Sequence, residues 1–295
     1  MSAAPASPFE CVLDIGASLG EGPVWSAHEQ ALYWVDINAP SLNRFEPATR
    51  HNVVMPMPCS IGCVALRERG GFVLALRDGM WLASPDGRLE RKVSPAPYDP
   101  HHHRYNDGRV DPQGRFWAGF MNEQQDGATA ALVRIDPDFH LTRVLEGMTI
   151  SNGLAFVPDA TRMYHADTPT RTIRVFDFDG RTGTPSNPRV FARFTAAGDR
   201  PDGAAVDSAG CYWSAFYDAG KVVRLSPAGE LLAEYAVPAM APTMVAFGGP
   251  DLRTVFVTSA RQKRPADELA RYPRSGGIFA MRVDVPGQPE PAFAG

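Results

Sequence analysis

Residues 21–37 read EGPVWSAHEQALYWVDI: a residue followed by Gly, an apolar run, a polar turn, then an aromatic run. Five further segments follow the same order: IGCVALRERGGFVLALRD from Ile61, DGRVDPQGRFWAGFM from Asp107, NGLAFVPDATRMYHADT from Asn152, DGAAVDSAGCYWSAFYD from Asp202 and, without the Gly, MVAFGGPDLRTVFVTSA from Met244. Successive copies begin 40, 46, 45, 50 and 42 residues apart, a period that marks stacked or radial supersecondary units. Short apolar stretches bounded by Gly, Pro, Asp and Ser identify strands, and helical periodicity is scarce. Each copy continues into a second hairpin, as at 131–136 and 222–226, which makes a copy about four strands long. The tetrads SPDG (84–87), DPQG (111–114), DSAG (207–210) and SPAG (226–229) supply tight turns. The expected fold is all-β, a six-bladed β-propeller of four-stranded antiparallel blades around a central channel, with residues 1–295 as one domain. Residues 9–15 are expected to add a strand to the last blade and close the ring. A two-sheet sandwich or a β-helix fits the period less well.

The 295 residues are 44% apolar and 21% charged with a net charge of −4, an ordinary globular composition. Lys and Arg are scattered rather than set in a stripe with aromatics, which argues against a nucleic-acid partner. No apolar run reaches the length of a membrane span, and MSAAPASPFE at 1–10 has neither the basic nor the apolar region of a secretory signal. Cys11, Cys59, Cys63 and Cys211 form no Cys-x-x-Cys pair and read as reduced thiols. Cys59 and Cys63 read as small buried side chains rather than zinc ligands, because no further Cys or His stands at matching spacing. The expected setting is the cytoplasm, with a small molecule as partner and a monomer or weak oligomer as the state.

In a propeller the innermost strand of each blade lines the channel, so equivalent repeat positions form a ring. The position before the recurrent Gly holds Glu21, Ile61, Asp107, Asn152, Asp202 and, in the copy without Gly, Met244. Three carboxylates and an amide therefore converge at one mouth. Such carboxylates raise one another's pKa in a partly desolvated pocket unless a cation compensates, so one divalent metal is expected. Oxygen ligands without His or Cys suit Ca²⁺, Mg²⁺ or Mn²⁺, are compatible with Zn²⁺ and Fe²⁺, and do not choose among them. A competing reading makes X-Gly only a turn leading into each blade, where Asp and Asn are favoured locally. It accounts poorly for Glu21 and not at all for the shared ring position.

With LGEGPVW (19–25), RYNDGRVDPQGRFWAG (104–119), SNGLAF (151–156) and PDGAAVD (201–207) in place, the sequence resembles the gluconolactonase and regucalcin family (SMP-30 family) of six-bladed propeller lactonases. The C-terminal FGGPDLRTVFVTSAR (247–261) and GGIFAMRVDVPGQP (276–289) resemble its bacterial sugar lactonases. The resemblance implies that Glu21, Asn152 and Asp202 ligate the metal, that Arg104 and Asn106 face the substrate, and that Asp107 stands behind the ligands. It also implies a substrate contact from an acidic pair that follows a Gly-Thr-Met segment. Here Gly119-Phe120-Met121-Asn122-Glu123-Gln124 occupies that place, so Glu123 and Gln124 are the candidates and the second carboxylate is replaced by an amide.

The implied reaction is hydrolysis of a pentono- or hexonolactone to its aldonic acid, a carboxylic-ester hydrolysis of carbohydrate metabolism. No Gly-x-Ser-x-Gly elbow or triad is present, so water rather than a serine is the expected nucleophile, with Asp202 as both ligand and base. A metal-dependent phosphotriester or aryl-ester hydrolase and a non-catalytic binding propeller are the alternatives; the latter would be expected to carry apolar or unrelated residues at the ring. His101, His102 and His103 cannot all face one ion and are read as a solvated loop or lid before Arg104. Trp25, Trp34, Trp117 and Trp213 are expected in the core between blades, and His140 and His165 as structural.

Overall fold

The computed structural model describes residues 7–295. Gly20–Ser26, Ala31–Asp36, Ser41–Glu46 and His51–Pro56 pair antiparallel in chain order to form the first sheet. Four more sheets repeat that order, starting from the innermost strands Ile61–Leu66, His103–Val110, Ser151–Phe156 and Arg200–Val206. The sixth contains Pro242–Gly248, Thr254–Ser259 and Ile278–Arg282, and Glu10–Leu13 completes its outer edge by pairing with Ile278–Arg282. This is the expected six-bladed propeller, with the N-terminal strand closing the ring.

Burial falls outward along every blade. All residues of Gly20–Ser26 are buried, whereas Leu231–Ala236, an outermost strand, is exposed or half-buried throughout. The apolar faces between blades supply the core, and an aromatic pair spans most junctions: Tyr33 with Phe72, Trp117 with Phe178, Tyr164 with Tyr212, Trp213 with Phe247, and Trp25 with Phe256, at centroid separations of 4.9 to 5.8 Å. Tyr98, from the connection between the second and third blades, packs its ring on Tyr105 and Phe120. The four tryptophans expected in the core are all buried. The four cysteines are free thiols.

Two of the turn tetrads are tied into this core by their first residue. Asp207, fully buried, accepts from the backbone N–H of Ala209 and Cys211, from Trp213 Nε1 and from Arg224. Asp111 makes the corresponding bonds to Gln113 N, Arg115 N, Trp117 Nε1 and the Arg115 guanidinium. One carboxylate thus caps the hairpin and satisfies the indole of the next strand.

The X-Gly step is a bulge rather than a turn. In all six innermost strands the ladder to the second strand slips: between Glu21 and Val24, Ile61 and Cys63, Tyr105 and Gly108, Asn152 and Ala155, Pro201 and Ala204, and Pro242 and Val245. A bulge re-aims the side chain beside it and sharpens the local twist. Two of the glycines show why no side chain is tolerated there. Gly153 has φ 61° and a Cβ on it would lie 2.5 Å from the Tyr212 hydroxyl, while a Cβ on Gly62 would lie 2.3 Å from the Tyr105 backbone of the next blade.

Candidate active site

Each innermost strand starts at the bulge and runs away from it, so antiparallel order returns the second-to-third-strand loops and the interblade connections to the bulge end of the channel. The four tight tetrads close the opposite end. The bulge end therefore collects the irregular segments, among them the 3₁₀ turn Thr168–Thr170 and the long excursion 260–277, which contains the short helix Ala266–Arg271. Together they enclose a cavity of about 400 Å³.

Glu21, Asn106, Asn152 and Asp202 line that cavity and are each at least 93% buried. A directional hydrogen-bond chain fixes the two amides. Arg104 Nη1 donates to Asn106 Oδ1 (2.8 Å), Asn106 Nδ2 donates to Asn152 Oδ1 (2.8 Å), Asn152 Nδ2 donates to Thr168 Oγ1 (2.8 Å), and the Thr168 hydroxyl donates to the Pro201 carbonyl (2.8 Å). Because guanidinium can only donate and a carbonyl can only accept, both amide orientations follow from the ends of the chain. Asp107 is turned away: its Oδ2 accepts from Leu154 N at 2.9 Å, its Oδ1 is buried without a partner, and it does not line the cavity. The bulge between Tyr105 and Gly108 gives the channel-facing place in this blade to Asn106.

The carboxylates are costly to ionise as they stand. Burial pushes Asp202 well above the ordinary carboxylate range, with Glu21 and Asp107 adding to the shift. Glu21 is pushed up to about 8 by burial and then by Asp107, against the Gly22 N–H and Arg104, which favour its charge. Asp107 is raised too, chiefly by burial. Among the described residues no three His, Cys, Asp or Glu side chains form a ligand group, but two carboxylates and a fixed amide oxygen make a hard-oxygen donor set that a divalent cation would neutralise. His165, expected to be structural, is held neutral by burial with its pKa pushed down to about 3, and its Nε2 lies 2.8 Å from Ser151 Oγ.

Arg104 and Glu123 form one wall. Glu123 accepts two bonds from Arg77, at 2.7 and 2.9 Å, and lies 3.6 Å from Arg104 Nε. Burial would raise Glu123, but these guanidiniums outweigh it and hold its carboxyl below its usual value. Gln125, not Gln124, lines the cavity; Gln124 uses its backbone N–H to bond Asn122 Oδ1. The histidines of the 101–103 loop bond to Asp99 and Thr129 and do not line the cavity. The residues that sequence reasoning passed over are Thr168, Arg200, Tyr217, Asp218, Lys263 and Arg264, all cavity-lining. None sits at the ring position beside the Gly, although Arg200 opens an innermost strand. For the last two, the available signal was the long interval between the second and third strands of the last blade.

Residues 19–261 match the family model described as SMP-30/Gluconolactonase/LRE-like region. The chain is 50% identical over 290 residues to a protein named 6-deoxy-6-sulfogluconolactonase from Pseudomonas putida, covering 97% of this chain and 99% of that one. It is 33% identical to regucalcin of Xenopus laevis, covering 97% and 98%. A crystal structure of a calcium-binding protein, regucalcin, from Agrobacterium tumefaciens superposes with a TM-score of 0.93 at 27% identity, covering 99% of each chain.

Proposed function

The chain belongs to the SMP-30/gluconolactonase/LRE-like family of lactonases, carboxylic-ester hydrolases, and on that premise we propose that it is a metal-dependent hydrolase of an aldonolactone. The observation that carries this reading is the convergence of Glu21, Asp202 and the oriented Asn152 oxygen in one buried cavity, with both carboxyls pushed up by burial and by neighbouring carboxylates. In this reading these three residues hold one divalent cation. Bound there, the cation would return the carboxyls to their ionised form, polarise the lactone carbonyl and offset the negative charge developing on its oxygen. The calcium-binding description of the Agrobacterium regucalcin supports the choice of a hard divalent ion.

The chain's own groups supply the rest. Asp202 takes the proton of a water whose oxygen adds to the lactone carbonyl carbon. Collapse of the tetrahedral adduct breaks the bond from the acyl carbon to the ring oxygen, and the proton held at Asp202 passes to that oxygen. The product is the open hydroxy acid. Arg104 and Asn106 donate to the sugar hydroxyls or the ring oxygen, and Glu123 accepts from a hydroxyl. The enzyme is expected to act in the cytoplasm. The Pseudomonas relative's name points to a lactone of the gluconate series as first substrate to test. The test is base uptake at constant pH with a panel of pentono- and hexonolactones, using chelator-treated protein before and after return of single divalent metals. Turnover restored by metal supports the reading; absence of turnover with every lactone and every metal overturns it.

A further inference from the structure

The protein is net negative, at −4, yet the rim of this cavity is not. Arg200 and Arg264 are matched by Asp218 and Glu268. Arg77 and Arg104 share the single carboxylate of Glu123. Lys263, exposed on the cavity lining, makes no direct ion pair among the described residues, although its charge acts on Glu123. It is also held in place: its backbone is left-handed, at φ 55°, and the segment before it is anchored by Ala260 N to the Ala241 carbonyl and Gln262 N to the Ser18 carbonyl. Three cations, Arg77, Arg104 and Lys263, thus face the single carboxylate of Glu123 and leave a positive excess beside the cavity, which Arg104, Glu123 and Lys263 line together with the negative groups Glu21 and Asp202. A neutral sugar lactone offers that excess only hydroxyl and ring-oxygen acceptors, whereas an anion would also neutralise its charge.

We infer that the substrate is an acidic aldonolactone, with an anion at the end of the sugar remote from the lactone carbonyl, and that Lys263 is the residue that selects it. The inference rests on the lactonase reading and narrows it to one substrate class. Sulfonate, phosphate and carboxylate share the needed chemistry, an oxyanion that accepts from an ammonium. A cationic rim above a site that is otherwise anionic also orients such a substrate, charged end outward and carbonyl inward.

The experiment compares wild type and Lys263→Met on gluconolactone and its 6-deoxy-6-sulfo, 6-phospho and 6-carboxylate counterparts, with calorimetric binding of gluconolactam and 6-deoxy-6-sulfogluconolactam alongside. In wild type, at least one acidic lactone is expected to exceed gluconolactone in kcat/KM by about ten-fold or more, the worth of one charge-assisted hydrogen bond. The advantage should lie in KM and shrink as salt is raised. Lys263→Met should reduce the acidic-to-neutral ratio by a similar factor, and the arm with the largest ratio names the anion. An unchanged ratio in the variant, or no acidic preference in wild type, overturns the inference while leaving lactone hydrolysis standing. If no lactone is turned over, the lactonase reading fails. The lactams then decide the anion contact separately: tighter binding of the sulfo lactam, lost in the variant, retains it, and equal binding removes it.

Discussion

Asp202 carries two burdens that can be separated by a one-atom change. Its carboxyl is buried beside Glu21 and Asp107, which raises its pKa and opposes folding of the metal-free protein in the charged state. Asp202→Asn keeps the shape and removes the charge. It is expected to lower kcat for lactone hydrolysis by about a thousand-fold, the scale of a lost general base, while the metal-free melting temperature stays the same or rises. A variant that retains near-wild-type kcat would remove Asp202 from the reaction. Thr168 acts at one remove, since it fixes Asn152 by accepting a hydrogen bond from Nδ2 while its own hydroxyl donates one to the Pro201 carbonyl. Thr168→Val leaves that amide free to turn, so divalent-metal affinity is expected to fall by about ten-fold or more, read by calorimetric titration rather than by rate. Restored affinity in Thr168→Ser would tie the effect to the hydroxyl. Glu21, Asn152 and Asp202 were legible because each stands at the same place in a repeat, and the family resemblance set them apart from Asp107, which shares that place. Thr168 was not, because its place is set by a 3₁₀ turn whose counterpart differs in every blade.

At the level of the strand and turn, the repeat was readable because apolar and aromatic runs bounded by turn residues, with a Gly beside five of the six ring residues, recur with the blade. What the sequence did not resolve was the meaning of that Gly. A bulge and a turn use the same residue types, and only the paired ladder distinguishes them. The same ambiguity surrounds Asn106 and Asp107: one residue of slip decides which faces the channel, and alignment on the Gly alone favours Asp107. The turn aspartates are a clearer device. Asp207, itself fully buried, satisfies two backbone N–H groups, an indole and a partly exposed guanidinium. Asp207→Ala leaves all of these unpaired and is expected to cost about 3–5 kcal/mol, measured as a fall in the denaturant midpoint at unchanged m-value. Because the turn lies on the face away from the cavity, kcat well below the melting transition should not change. A small stability loss would mean that solvent enters the turn and replaces the carboxylate.

For the whole ring, two forces meet: closure of the circle, which stabilises it, and the charge gathered at its centre, which does not. Glu10–Leu13 fastens the last blade, and Phe9 is buried in the cluster that joins the fifth and sixth blades. Deleting residues 1–13 exposes the edge of Ile278–Arg282 and is expected to lower the melting temperature and promote association through that edge, seen by light scattering during the melt; an unshifted melt would make closure dispensable. The central charge sets the response to pH. Glu21 ionises near 4.5 when unperturbed but holds its proton to about 8 in the metal-free fold, and Asp107 and Asp202 shift in the same direction. Between those pH values the folded chain binds protons that the unfolded chain has released. Linkage then makes the metal-free protein less stable as pH rises from about 4.5 to 8, at up to about 1.4 kcal/mol per pH unit for each such group. Below the unperturbed values, 4.5 for Glu21 and 3.8 for Asp107 and Asp202, these three carboxyls are protonated in both states and their contribution to the slope vanishes. The proposed divalent cation would reverse the balance by binding the ionised forms, so its stabilising effect should grow over the same interval. Melting of chelator-treated protein at pH 5.5 and pH 8, each with and without calcium, is expected to show the lower metal-free midpoint and the larger calcium shift at pH 8. Equal metal-free midpoints with equal shifts would mean that these carboxyls ionise in the fold at no cost, and the case for a neutralising metal would lose its physical basis.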